Sequence, residues 1–131
     1  MREPVWIDER DALAFHDRLL ALNGGAAGVR NVGLLQSALA RPQQLHAHGD
    51  APDAIDMAAA YTVGIVRNRP FVNGNKRTAF VVGVLFLELN GHCFTATEED
   101  ATQAVLGLAA GTIDEALFTR WLRANVSRSS R

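Results

Sequence analysis

The chain predicts an all-α fold, a compact bundle of about six helices around a buried central helix, and three observations carry that prediction. Apolar residues recur at spacings of three and four over most of the length, capping residues precede those stretches and glycines follow them, and residues 79 to 87 form a run that is apolar on every side. With 131 residues, 48% of them hydrophobic and 21% charged, the chain is large enough to bury one core and too apolar for disorder.

Taken in order, Asp8 caps a first helix with Asp11 near its positive end, and Asn23-Gly24-Gly25 ends it. Its inward stripe is Ala12, Phe15 or His16, Leu19 and Leu20. A second helix starts near Asn31, carries Leu34, Leu35, Ala38 and Leu39, and should stop or kink before Pro42, since proline donates no hydrogen bond and disfavours helix before it. The following "QQLHAHGD" reads as an irregular polar segment. Pro52 then suits the opening of a third helix, with Ile55, Ala59, Thr62, Val63 and Val66 along one side.

The fourth helix, roughly residues 74 to 90, contains "AFVVGVLFLEL" and is the expected centre of the bundle, because a helix apolar all round is buried all round. A buried strand competes, but the run is long and ends on Asn90-Gly91. The segment "HCFTAT" suggests a short extended piece pairing with "VWI" at residues 5 to 7. Thr97, with Glu98, Glu99 and Asp100, opens a fifth helix that runs to Gly111, the acidic residues suiting a helix start. Thr112 and Glu115 form a capping box for a sixth, turning Leu117, Phe118, Trp121 and Leu122 inward. The expected core includes Val63, Val66, Phe71, Val82, Leu85, Phe86, Leu106, Phe118 and Trp121. Residues 1 to 126 form a single domain, and the tail 127 to 131, "SRSSR", reads as disordered.

Composition narrows the function classes. A formal charge of −1 provides no broad basic field, so direct DNA binding is not expected and any anion site must be local. Cys93 is the only cysteine, which excludes an internal disulfide, and no hydrophobic run is long enough to span a bilayer. A cytoplasmic location follows as the expectation.

The chemistry concentrates in "RNRPFVNGNKRTAF", residues 67 to 80. A helix start exposes unpaired N–H groups and carries roughly half a positive charge from aligned peptide dipoles. Gly74 lets an anion approach the backbone, Asn75 adds an amide, and Lys76 and Arg77 add full charges in the same turn. Two cations there oppose the dipole, which a bound anion would offset. The alternative is that they are ordinary surface charges after a glycine turn. Elsewhere, His16 reads as a hydrogen-bonded packing residue and Cys93 as half-buried packing; His46 and His48 form a His-x-His pair in the polar segment that completes neither a zinc site nor a triad.

"RPFVNGNKR" resembles the Doc-type signature of the Fic/Doc family, His-x-Phe-x-Asp/Asn-Gly/Ala-Asn-Lys-Arg, at Phe71, Asn73, Gly74, Asn75, Lys76 and Arg77. The segments "HDRLLALNGG", "VGLLQSALARPQQL", "AAAYTVGIVRNRPF" and "LFLELNGHCFTATEED" extend the resemblance over almost the whole chain. It implies a helical Fic/Doc-type fold and a toxin of a toxin–antitoxin module. Fic-type AMP-transferases carry Gly in place of Lys76 and Arg in place of Phe80, which places the resemblance on the Doc side. Such proteins are similar to small kinases that move the γ-phosphate of ATP to a threonine of elongation factor Tu and halt translation. The resemblance implies that Asn75, Lys76 and Arg77 hold the phosphates of ATP, that Asn73 is a weak Mg²⁺ ligand, that Phe71 packs the motif, and that an antitoxin lays its C-terminal helix in a groove. AMP transfer and a non-catalytic, partner-binding role are the alternatives.

One motif position departs. Arg69 stands where the family has the histidine that takes the proton of the target hydroxyl. A guanidinium has no acceptor lone pair and stays charged, so catalysis should be impaired while phosphate binding survives.

Overall fold

A computed structural model describes residues 3–129. The order is α1 (Glu9–Asn23), α2 (Val32–His48), α3 (Ala54–Asn68), α4 (Asn75–Leu89), β1 (His92–Phe94), α5 (Glu98–Ala110), α6 (Glu115–Ala124) and β2 (Val126–Arg128). The all-α expectation holds, with one two-stranded sheet added.

The buried central helix is α3 rather than α4. Every residue from 57 to 66 is buried, whereas α4 leaves Leu89 half-exposed and Phe80, Val81, Val84 and Leu85 only partly covered. The reason is size. A helix surrounded by neighbours needs small residues so that their backbones can come close, and α3 reads "AIDMAAAYTVGIV". A Cβ on Gly64 would sit 3.3 Å from Ala38 of α2, and one on Gly83 of α4 would sit 2.4 Å from the Thr62 hydroxyl and 3.1 Å from the Ala58 carbonyl. In that second contact Thr62 Oγ1 donates to Ala79 O at 2.8 Å, so α3 and α4 are joined by a buried hydrogen bond where they pack.

Pro42 does not end α2. The helix continues through it to His48 and takes in most of the segment expected to be irregular, because Leu35, Ala38, Leu39 and Pro42 are all buried on one side. That burial offsets the rung that proline cannot supply. Pro52 lies outside α3, whose cap is Asp53 in a reciprocal box with Asp56. Burial alone would raise the Asp53 carboxyl; hydrogen bonds from the Arg123 guanidinium and the Asp56 amide outweigh it and hold the pKa below its ordinary value. Arg123 thus ties α6 to the start of α3, and Arg41 of α2 binds Glu115 of α6 at 2.9 Å and the Ala60 carbonyl at 3.2 Å. The α6 cap is Asp114, which accepts from Leu117 N–H, and not Thr112, whose hydroxyl donates to Gly107 O. Leu106 and Leu117, expected in the core, are 43% and 44% exposed. Leu85 and Trp121 pack on the core from partial exposure.

The extended piece at residues 92 to 94 exists, but its partner is β2, antiparallel in the register His92↔Arg128, Cys93↔Ser127, Phe94↔Val126. Residues 5 to 7 are unavailable because side chains hold their backbone. Asn90 accepts from Val5 N–H and donates to Val5 O, while buried Tyr61 accepts from Ile7 N–H at 2.9 Å and donates to Ile7 O at 3.1 Å. The pairing of Ser127 and Arg128 also corrects the expected disordered tail at those positions; residues 130 and 131 lie outside the described residues. Cys93 is exposed on β1, not half-buried.

Candidate phosphate-binding site

The site is built where α3 stops and α4 begins. Arg69 caps α3 in the left-handed conformation (φ 48°, ψ 58°), its N–H bonded to Ile65 O at 3.0 Å. This reverses the chain in one residue at about 1 kcal/mol or more of backbone strain for a residue with a Cβ. Arg30, in the loop between α1 and α2, holds the reversal. Its Nε donates to Arg69 O at 2.8 Å and its Nη2 to Asn68 O at 2.9 Å. The amides of Arg30 and Asn31 both donate to Pro70 O, and Val72 N–H donates to Gly28 O, so the loop lies against residues 70 to 72 in a short antiparallel bridge.

Beyond the reversal, Phe71 is 1% exposed and stacks on His16 of α1, ring centroids 3.8 Å apart and planes 9° from parallel. Asn75 closes the turn: its Oδ1 accepts from Phe71 N–H and its Nδ2 donates to Phe71 O, both at 2.9 Å. The Asn75 side chain therefore shapes the loop, a different emphasis from the free amide donor the sequence suggested. Asn73 is exposed, its carbonyl bonded to His16 Nε2 at 2.8 Å and its side chain against Gly25, where a Cβ would come within 2.7 Å of Asn73 Oδ1.

Gly74 enters α4 with φ 77°, again left-handed, and a residue with a Cβ would be strained there. Asp8, Asn31, Asp53, Thr97 and Asp114 each cap the helix that follows them with a side-chain oxygen; α4 has no such cap. Thr78 N–H, bonded to Gly74 O at 3.0 Å, makes the first rung of the helix, so the amides of Asn75, Lys76 and Arg77 precede the ladder. No acidic residue occupies this first turn. Among the described residues, no carboxylate lies within salt-bridge distance of Arg69, Lys76 or Arg77.

These parts line a cleft of about 210 Å³ formed by Arg69, Asn73, Gly74, Asn75 and Lys76, with Val66, Val72 and Ala109 as its apolar wall. Arg77 turns from this cleft into an adjoining groove of about 500 Å³ between α1, α4 and α5, where it and Lys76 stand beside Glu98 and the apolar side chains of Leu19, Phe80, Val81, Val105 and Leu106. Chemically, the cleft presents unpaired N–H groups, two cations and one amide to an anion.

The sequence profile of the Fic/DOC family matches residues 6–87, more than half of the chain. This chain belongs to the Fic/Doc family. It is 31% identical over 117 residues to the protein kinase Doc of Escherichia phage P1, a match covering 89% of this chain and 92% of the phage protein. It is 46% identical over 69 residues to the toxin Doc of Mycolicibacterium smegmatis, covering 52% of this chain and spanning about half (53%) of that relative. Of the residues from 69 to 76, Phe71 is buried, and Arg69 and Val72 to Lys76 line the cleft.

The histidines at 46 and 48 do not lie in an irregular polar segment. Both belong to the last turn of α2, where His46 lies edge-on to Trp6 with centroids 5.6 Å apart. Among the described residues no group of three or more His, Cys, Asp or Glu side chains could hold a metal, and no helix is long and apolar enough to cross a membrane. Sequence reasoning missed Arg30, which no motif marks and which matters only because the loop folds back onto residue 69.

Proposed function

We propose that this chain is a Doc-like toxin whose cleft holds the phosphates of ATP and whose family chemistry is transfer of the γ-phosphate to a threonine of elongation factor Tu, arresting translation. The observation that carries the reading is the uncapped start of α4, which leaves three amides without intrahelical acceptors beside Lys76 and Arg69. The kinase and toxin names of the two relatives support it.

The residues fit a polyphosphate better than a metal. Mg²⁺ is usually held by one or two carboxylates together with phosphate oxygens. The cleft offers no carboxylate, only the Asn73 amide oxygen. Mg²⁺ carried in on the phosphates, with Asn73 as its one protein ligand, would neutralise phosphate charge.

In the transfer, the threonine oxygen bonds to the γ-phosphorus, the bond from that phosphorus to the bridging oxygen breaks, ADP leaves, and the hydroxyl proton passes to a base. Lys76 and the α4 amides orient the phosphates. Arg69 adds a fixed charge but accepts no proton. Attraction shared by ground and transition states lowers no chemical barrier, so the chain binds ATP without efficient turnover.

The apolar groove between α1, α4 and α5 suits an amphipathic antitoxin helix, with Lys76, Arg77 and Glu98 at one end to pair with its charges. The chain acts where translation does, in the cytoplasm.

Lys76 is the only lysine in the sequence, so acylation of side-chain amines reads one position. ATP with Mg²⁺ should slow acylation at Lys76 several-fold, and an unchanged rate would remove ATP from the cleft. Arg69→His should raise γ-phosphate incorporation into elongation factor Tu by about 10²- to 10⁴-fold, the usual contribution of a positioned base. Label arriving from the α-position of ATP instead would identify an AMP-transferase, and no transfer by either protein would leave a non-catalytic binder of the antitoxin.

A further inference from the structure

His16 is buried to 1% exposure, lies on α1 rather than in the motif, and has no role in the transfer described above. Its Nε2 is 2.8 Å from Asn73 O. A carbonyl oxygen only accepts, so Nε2 carries the hydrogen. On the other side of the ring, Nδ1 lies 3.9 Å from Asp17 Oδ1. The imidazole does not line the cleft, which excludes it as a replacement for the base missing at position 69.

What it does is set a peptide plane. The C=O and N–H of a trans peptide point in opposite directions. The Asn73 carbonyl is turned to His16, so the Gly74 N–H of the same peptide points away from the imidazole, and Gly74 is itself one of the residues that line the cleft. The face-to-face stack of the imidazole on buried Phe71 fixes the ring that makes this bond. Were the peptide to rotate, a carbonyl oxygen would replace an N–H at the anion's position and repel it. Gly74, with φ 77° and no Cβ, offers little resistance of its own to such a rotation.

We propose that His16 is a positioning residue for the phosphate loop: donation from Nε2 to the Asn73 carbonyl, with the ring held on Phe71, keeps the 73–74 peptide N–H toward the cleft and its carbonyl out of it. The inference rests on the reading of this cleft as a phosphate site for its consequence, but the peptide orientation is testable without ligand.

Two substitutions separate the hydrogen bond from the packing. His16→Phe keeps an aromatic ring to stack on Phe71 and loses the donor; His16→Gln places an amide N–H near the position of Nε2 and loses the ring. Crystal structures of the ligand-free variants read the 73–74 peptide, and calorimetric titration with inorganic pyrophosphate and with ATP reads the anion. In His16→Phe the peptide should be rotated or split between orientations and affinity for both anions should fall roughly ten-fold, about one hydrogen bond's worth. In His16→Gln the orientation and affinity should stay within about two- to three-fold of the parent. If the Phe variant does not fold, His16→Leu is the second donor-less variant and carries the same expectation. A parental peptide orientation in the donor-less variant overturns the proposal, whatever the affinity. Weakening in the Gln variant with parental affinity in the Phe variant also overturns it, since that is the signature of packing alone. If the peptide turns as expected but neither the parent nor any variant binds pyrophosphate or ATP, the phosphate reading fails and the positioning role of His16 stands.

Discussion

Replacing Tyr61 by Phe removes one oxygen atom from the middle of the molecule, and the structure gives the cost in two parts. The hydroxyl is fully buried and is the partner of both Ile7 backbone groups, accepting from the N–H at 2.9 Å and donating to the carbonyl at 3.1 Å. Ile7 itself is 1% exposed, so water does not readily replace the lost partner. Leaving one buried polar group unpaired costs about 1 to 3 kcal/mol, and two groups are stranded here. Tyr61→Phe should therefore lower stability by about 2 to 4 kcal/mol near neutral pH, a Tm loss on the order of 10 °C for a chain of this size. The second part is pH. Burial pushes the Tyr61 phenol up to about 12, against 10.0 in the unfolded chain. Between those values the unfolded state has lost a proton that the folded state keeps, so stability falls as pH rises. The two-unit difference corresponds to roughly 3 kcal/mol lost by pH 12. The Phe variant lacks this alkaline loss, and the gap between the two proteins should close from pH 10 upward. Tyr61 is the only tyrosine, so tyrosinate absorbance on raising the pH reports this group alone. Urea unfolding of both proteins at neutral pH and across the alkaline range is the assay. A neutral-pH difference under 0.5 kcal/mol, or parallel stability curves above pH 10, would refute the reasoning.

Other expectations follow from particular contacts. Gly83→Ala places a Cβ 2.4 Å from Thr62 Oγ1, so either the α3–α4 packing opens or the Thr62 bond to Ala79 O breaks; urea unfolding should show a loss of about 3 kcal/mol. Combining it with Thr62→Ala should recover at least about 1 kcal/mol relative to additivity, and strict additivity would mean that the hydroxyl is not the obstacle. Arg123→Ala should cost only about 1 kcal/mol, because the Arg123, Asp53 and Asp56 side chains are all partly exposed. Asp53 is held below its ordinary 3.8, so its contribution exists above that value and is lost as pH falls through the depressed pKa. Thermal melts of the parent and Arg123→Ala should accordingly converge in acid, and a gap that persists there would point to lost packing of the Arg123 stem instead.

The sequence alone determined the helices and the signature. Helix starts at Asp8, Asn31 and Thr97 were legible because a cap acts on amides two or three residues away, and the helix ends at Gly24 and Gly111 because glycine adopts the turning conformation at little cost. The turn before α4 stood out for the same reason, since glycine, amide and basic residues in one turn have a local physical meaning. What only the tertiary structure decided is which groups are used and which helix is enclosed. An apolar run looked like the centre, yet closeness of approach favoured the small residues of α3, a property of three helices together that no single periodicity carries. Pro42 continued its helix because packing on α3 outweighed one missing rung. The strand at residues 92 to 94 took β2 because Asn90 and Tyr61 had already occupied the backbone of residues 5 to 7. Likewise Asn75 became a brace, and Arg30 and His16, distant in sequence, became the supports of the loop, because hydrogen-bond partners are chosen by distance in space and sequence spacing fixes that distance only within a turn or two of helix.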